Sequence, residues 1–217
     1  MKTHRIAGTA LLLGGLVYLI ANSVLTILLP VSEDWTATYA STGFLARLSV
    51  AATAVFLLFA GALGLHAAQA HKTGWFGSLA FAVLFAGSML TFAHEWGQVF
   101  FLHPLAVIAP ESLRAMEDVE GANLYDIEAM LAMGGFVLGW LLFAISMLMA
   151  RVFRPLGPLL IIGGLFSISL LTAALPGLWG FVAGNAITAL GWIVLGRELQ
   201  AYRPEQASEA GPVPTSA

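Results

Sequence analysis

Residues 75–96 read WFGSLAFAVLFAGSMLTFAHEW, an apolar run bracketed by two indole rings and interrupted only near its far end by a histidine and a glutamate. The two tryptophans stand 21 residues apart. At about 1.5 Å of rise per residue, a helix between them is about 31 Å long, close to one hydrocarbon thickness of a bilayer. Indole rings favour membrane–water interfaces, so the stretch reads as one membrane crossing with an aromatic anchor at each end. By the same ruler His94 and Glu95 lie just inside an interface, where a side chain reaches water and the charge penalty is reduced.

The rest of the chain repeats this pattern. Of 217 residues, 59% are hydrophobic and 10% charged, and the mean hydropathy is +0.88, far from the balance of a soluble globular domain. Six stretches qualify as spans, at about 6–29, 44–66, 76–101, 129–150, 156–175 and 178–195. The first follows Lys2 and Arg5, as a signal peptide would, but it is longer than a signal h-region and lacks a clear small-residue cleavage site, so it reads as a span. Only Pro176 and Gly177 separate the last two, which predicts a tight helical hairpin. The expected fold is therefore all-α: a polytopic bundle of six transmembrane helices over residues 1–203, followed by a disordered tail at 204–217. With no cysteine in the chain, disulfides, thiolate nucleophiles and cysteine-ligated clusters are excluded.

Charge orients the bundle. Lys2, Arg5, Lys72, Arg151, Arg154, Arg197 and Arg203, seven of the nine basic residues, fall on one side of this topology. The opposite side holds Arg47 and Arg114 among nine acids, from Glu33 to Glu128. The positive-inside rule makes the first side cytoplasmic, with both termini and the tail inside. The longest connection, 102–128, then lies outside. Within it PESLRAMEDVEG predicts a brief amphipathic helix: Pro110 suits the first turn, Glu111 the positive end of the dipole, and Gly121 the stop. Leu113, Met116 and Val119 would face the bundle mouth or the bilayer, and the acids would form a solvated cap or a lid and cation-attracting rim over a site.

Several polar side chains share the depth of His94 and Glu95. Asn22 in the first span, Arg47 in the second, Gln98 one turn beyond His94 and Asn185 in the sixth all fall in the outer half. Together these six are the candidate ligand-binding residues of an outward-facing pocket, with Glu95 and His94 as candidate catalytic groups. The alternative is that the asparagines merely bond a neighbouring helix and Arg47 merely pairs with a loop acid. A metal site is not expected, because position 98 is glutamine where a zinc-protease helix needs a second histidine, and His103 lies half a turn round from His94. No cofactor is expected either: the last three spans hold no histidine to face another as a haem ligand.

Glycines at four-residue spacing, Gly135–Gly139 and Gly180–Gly184, and the pairs Gly14-Gly15 and Gly163-Gly164 predict close helix crossings within the bundle, with a homodimer interface as the alternative. A weak internal repeat relates the first hairpin to the last: shifting by 132 residues superposes Val50, Ala51 and Ala54 on Val182, Ala183 and Ala186, and makes Thr53 equivalent to Asn185. The segments RIAGTALLLGGLVYL, GFLARLSV and MLMARVFRPLGPLLIIGGL resemble a family of bacterial six-helix membrane proteins known as a domain of unknown function. The resemblance spans nearly the whole chain through loose motifs. It implies six spans in a bacterial cytoplasmic (inner) membrane and a polar or acidic residue near the outer end of the third span, which Glu95 matches, and it implies no activity.

Two functions follow as expectations. The first is a non-enzymatic bundle that binds, senses or moves a small amphiphile or cation through the outward pocket. The second is a membrane enzyme acting on a lipid or isoprenoid substrate, with Glu95 and His94 as its acid–base pair. The expected partners are the lipid bilayer, a hydrophobic or amphiphilic small molecule and a second copy of the chain, and no nucleic acid.

Overall fold

The computed structural model describes residues 2–29, 35–117, 124–175 and 178–203, and every regular element among them is helical. Helix α1 (Lys2–Leu19) passes directly into a π-helical turn, Ile20–Leu25. A short α2 (Trp35–Tyr39) precedes α3 (Thr42–Gly97), which continues through a second π-helical turn (Gln98–Leu102) into α4 (His103–Ile108). Helices α5 (Pro110–Glu117), α6 (Leu124–Ala150), α7 (Leu156–Ala174) and α8 (Trp179–Ala201) complete the order. Five helical segments are long and apolar enough to cross a membrane: Lys2–Leu25, Thr42–Ile108, Tyr125–Ala150, Leu156–Ala174 and Trp179–Ala201, the pattern of a multi-pass membrane protein.

The second of these has 67 residues. Drawn out straight it would measure about 100 Å, roughly three bilayer cores. It is not straight, because Gly74 sits at φ 56°, ψ −150°, outside the helical region. A left-handed φ at such a ψ suits glycine, which has no Cβ to clash. Ring contacts then step away from Gly74 on both sides: His66 stacks on Phe81 at 4.2 Å, Phe59 meets Phe85 at 5.3 Å, and Phe56 meets Phe92 at 6.3 Å. The arms 42–73 and 75–97 are therefore antiparallel. The connection expected at 67–75 is helical as far as Thr73, and the reversal is confined to one residue. Burial explains this: Gln69 is fully enclosed and its Nε2 donates to Ser146 Oγ at 3.1 Å, which holds that last turn on α6.

The first and last long helices close the bundle on each other. Helix α1 packs on the 42–73 arm and on α8, the 75–97 arm packs on α6, and α7 packs mainly on α8. Helix packing in a bilayer gains little from the hydrophobic effect, so close approach of backbones carries the contacts. A Cβ built on Gly87 would run into the backbone of Gly135, and one on Gly180 into the backbone of Leu171. Gly134 and Gly163 have open space beside them, so Gly135 and Gly164 alone serve the crossings at those pairs, whereas Gly14 faces Leu58 and Gly15 faces Ala189, so both members of that pair are used.

Trp140 and Trp192 lie fully buried at the centre, 5.2 Å apart edge to face, and Tyr18 meets Trp192 at 4.8 Å. Leu11, Leu58, Leu65, Leu84 and Met147 continue this core along the bundle. One end of the molecule brings together the start of α1, residues 66–73, residues 151–154 and the end of α8: His4 meets Tyr202 at 5.2 Å, the Tyr202 hydroxyl donates to Ala68 O at 3.3 Å, and Arg154 N donates to Glu198 Oε2 at 3.0 Å. These segments carry the seven basic residues grouped above. The other end carries α2, α4 and α5. The internal repeat has no counterpart in environment, since Thr53 is exposed whereas Asn185 is 1% exposed.

Candidate functional site

At the end opposite the chain termini, the two asparagines behave alike. Asn22 ties its amide NH₂ to Tyr18 O (3.4 Å), and Asn185 ties its own to Phe181 O (2.8 Å), each four residues back. This turns each amide oxygen toward another helix. Asn185 Oδ1 accepts from the Tyr18 hydroxyl at 2.5 Å, and Asn22 Oδ1 accepts from Arg47 Nη2 at 2.9 Å. The π-helical turn of α1 adds a third contact. Thr26 donates its hydroxyl to Ala21 O, five residues back (3.0 Å), leaving its oxygen to accept from Arg47 Nε (3.2 Å). Such turns are rare and concentrate at functional sites. Arg47 is thus held in a fixed place by α1, and α1 is joined to α8 through Tyr18.

Glu95 faces this network. It is 6% exposed, and its Oε2 is buried without a hydrogen-bond partner. Arg47, Tyr18 and His94 lie within its electrostatic reach, as does Tyr125 of α6. A buried carboxylate needs compensation, and Arg47 is the cation placed to supply it.

His94 precedes Glu95 by one residue and so points about 100° away around the helix. It looks into a cavity of about 640 Å³. There His94 Nδ1 is 2.6 Å from Glu128 Oε2, and its ring lies 5.5 Å from that of Tyr125. Four aromatic rings line the space, from Trp35, Tyr39, Phe101 and Tyr125. Gln98, in the second π-helical turn, contributes an amide, and Asp126 and Glu128 contribute carboxylates. Helix α5 contributes Leu113, 3% exposed, and Met116, while its Glu111–Arg114 pair (2.8 Å) stays on the exposed side. His103 is turned away from His94: its Nδ1 meets Tyr39 O at 2.8 Å and anchors α2, which carries Trp35 and Tyr39 to the cavity wall.

The six candidate residues therefore fall into two adjoining groups. Asn22, Arg47, Glu95 and Asn185 belong to the interior network, together with Tyr18 and Thr26, which sequence reading did not single out. His94 and Gln98 line the cavity, together with Glu128 and the four rings, also not singled out. Tyr18 carried a detectable signal, a polar ring one helical turn before Asn22. Trp35 and Tyr39 carried none, because their side of the cavity is set by the contact with His103. Helix α5 begins at Pro110 and presents Leu113 and Met116 to the bundle mouth, whereas Val119 and Gly121 lie outside the described residues. Among the described residues no three His, Asp or Glu side chains cluster as metal ligands.

Fold and site together define a multi-pass helical bundle with a buried charge network set against an aromatic, acid-bearing cavity. Comparison with protein-family models, curated proteins and solved structures finds no match for this chain.

Proposed function

We propose that this chain crosses a bacterial cytoplasmic membrane six times, with both termini in the cytoplasm, and binds, senses or moves a small amphiphilic cation through the cavity at its outer end. Six crossings follow from counting the two antiparallel arms that meet at Gly74 separately. The orientation follows from the seven-to-two division of basic residues. The bacterial assignment rests on the likeness of the sequence motifs to the six-helix family.

The observation that carries the ligand class is the cavity wall. Aromatic faces attract cations through the ring quadrupole, and the carboxyl groups of Glu128 and Asp126 stand beside them. Leu105, Leu113 and Met116 add apolar surface suited to a hydrocarbon portion. The test uses tetraphenylphosphonium as an aromatic cation and follows thermal unfolding in detergent. A ligand that binds the native state raises its apparent stability. The wild type is expected to gain several degrees, and Glu128→Gln to need at least about fivefold more cation for the same gain, the effect of losing about 1 kcal/mol. Equal shifts in the two proteins would remove the cavity from the site.

One contact favours the enzymatic reading, on a lipid or isoprenoid substrate. A carboxylate bonded to one imidazole nitrogen orients the ring and leaves the other nitrogen to exchange protons, and His94 with Glu128 has this arrangement. Glu95, the partner expected for His94 from sequence, faces the interior instead. His94→Gln separates the readings: an acid–base site loses turnover while retaining binding, and a pure binding site loses affinity alone.

A further inference from the structure

Glu95 is the carboxylate of the interior network, and the cavity wall does not include it. It is more than nine-tenths buried, its Oε2 has no hydrogen-bond partner, and its electrostatic neighbours include both Arg47 of the network and His94 of the cavity wall. We infer that Glu95 is a proton-binding site coupled to the cavity, so that a cation bound beside Glu128 and a proton bound at Glu95 exclude one another. This rests on the cavity reading and extends it from binding to proton-coupled exchange.

The groups around Glu95 supply the means. From its own helix comes His94, which reaches the cavity and bonds Glu128. From the 42–73 arm comes Arg47, fixed by Asn22 and Thr26. Tyr18 faces it from α1, and Tyr125 from α6. The residue that α8 contributes to the network, Asn185, does not titrate. With Glu95 ionised, Arg47 is compensated and the carboxylate adds negative potential behind the cavity wall at His94 and Tyr125. With Glu95 protonated, that negative charge is gone and the uncompensated Arg47 charge opposes any cation in the cavity. Charges in a poorly hydrated interior are weakly screened, so the two states differ in their affinity for a cation. The chemistry is a single proton transfer: the proton leaves the Glu95 carboxyl for water as the cation enters the cavity.

Linkage fixes the sign. A cation that displaces a proton binds more tightly as pH rises, by up to about tenfold per pH unit while Glu95 titrates. Equilibrium dialysis of labelled tetraphenylphosphonium against the purified protein, from mildly acidic to neutral pH, measures this slope, and a pH indicator in weak buffer measures the proton released. The wild type is expected to show both effects. Glu95→Gln is expected to bind the cation at every pH with the weak affinity of the acidic wild type, with most of the slope and the release lost, because the amide has the shape and neutrality of the protonated carboxyl and cannot ionise. If Glu95→Gln fails to fold because Arg47 loses its counter-charge, E95Q/R47Q removes both charges and is read by the loss of slope and release. Undiminished proton release from the variant would overturn the proposal and assign the release to His94 and Glu128. Cation binding by the wild type with no release would overturn the coupling while leaving the cavity reading intact, and no binding at all would overturn both.

Discussion

His94 and Glu95 are consecutive residues with different partners because a helix turns about 100° between them. One reaches a carboxylate in a cavity, and the other faces a guanidinium network inside the bundle. Their depth was legible in the sequence, because rise per residue is constant once Trp75 and Trp96 are taken as interfacial. Their separation was not legible, since it depends on the rotation of the helix and on what the neighbouring helices present. The same limit hid Tyr18, whose hydroxyl matters only because Asn185 stands opposite it. Tyr18→Phe keeps the ring against Trp192 and removes the 2.5 Å hydrogen bond, leaving a buried amide oxygen unpaired. The expected cost is about 1 kcal/mol, within the range for interhelical hydrogen bonds in membranes, and a lower Tm in detergent would register it. An unchanged Tm would mean that water replaces the tyrosine hydroxyl.

Among the helices, adjacent glycines divide into contacts and bystanders. Gly180 and Gly87 face backbone at crossings, so Gly180→Leu and Gly87→Leu are expected to lower the yield of folded protein sharply. Gly163→Leu and Gly134→Leu place the new side chain in open space and should leave yield unchanged. Size-exclusion profiles of the four variants check this, and loss at Gly163 would point to a contact with a second copy of the chain. Gly74 differs from all of these. A Cβ there would meet nothing within 4 Å, yet φ is +56°. Gly74→Ala should therefore cost only the strain of a backbone region nearly restricted to glycine, about 1–3 kcal/mol, without preventing assembly. The glycine spacings in the sequence announced tight crossings at Gly135–Gly139 and Gly180–Gly184, but not that Gly134 and Gly163 would face open space. Helix phase decides that, and it is fixed by the packed partner.

For the whole molecule, the testable quantity is topology. A reporter fused after Tyr202 is expected to be cytoplasmic and one inserted at Gly121 external, because seven of nine basic residues gather on the side of the termini. A cytoplasmic reporter at Gly121 would place the cavity, and any cation it binds, on the inner face. The reversal at Gly74 bears on the number of crossings rather than on their orientation. If the two arms of α3 are separate crossings, a reporter in the short segment around Lys72 also reports cytoplasm, and an external signal there would refute the count of six.

Composition and spacing determined that this chain is a multi-pass helical protein, since apolar runs of bilayer length leave the backbone no alternative to internal hydrogen bonding. They also set Asn22, Arg47, Glu95 and Asn185 at one level of the bundle, because the helical rise is local and invariant. Only the tertiary structure decided that those residues separate into a charge network and a cavity, that a single glycine closes the second hairpin, and that α2 and α5 complete the wall around His94. Each of those outcomes depends on the angle at which one helix meets another. That angle is set by contacts between residues far apart in sequence, such as Gly87 with Gly135, Tyr18 with Asn185 and His103 with Tyr39.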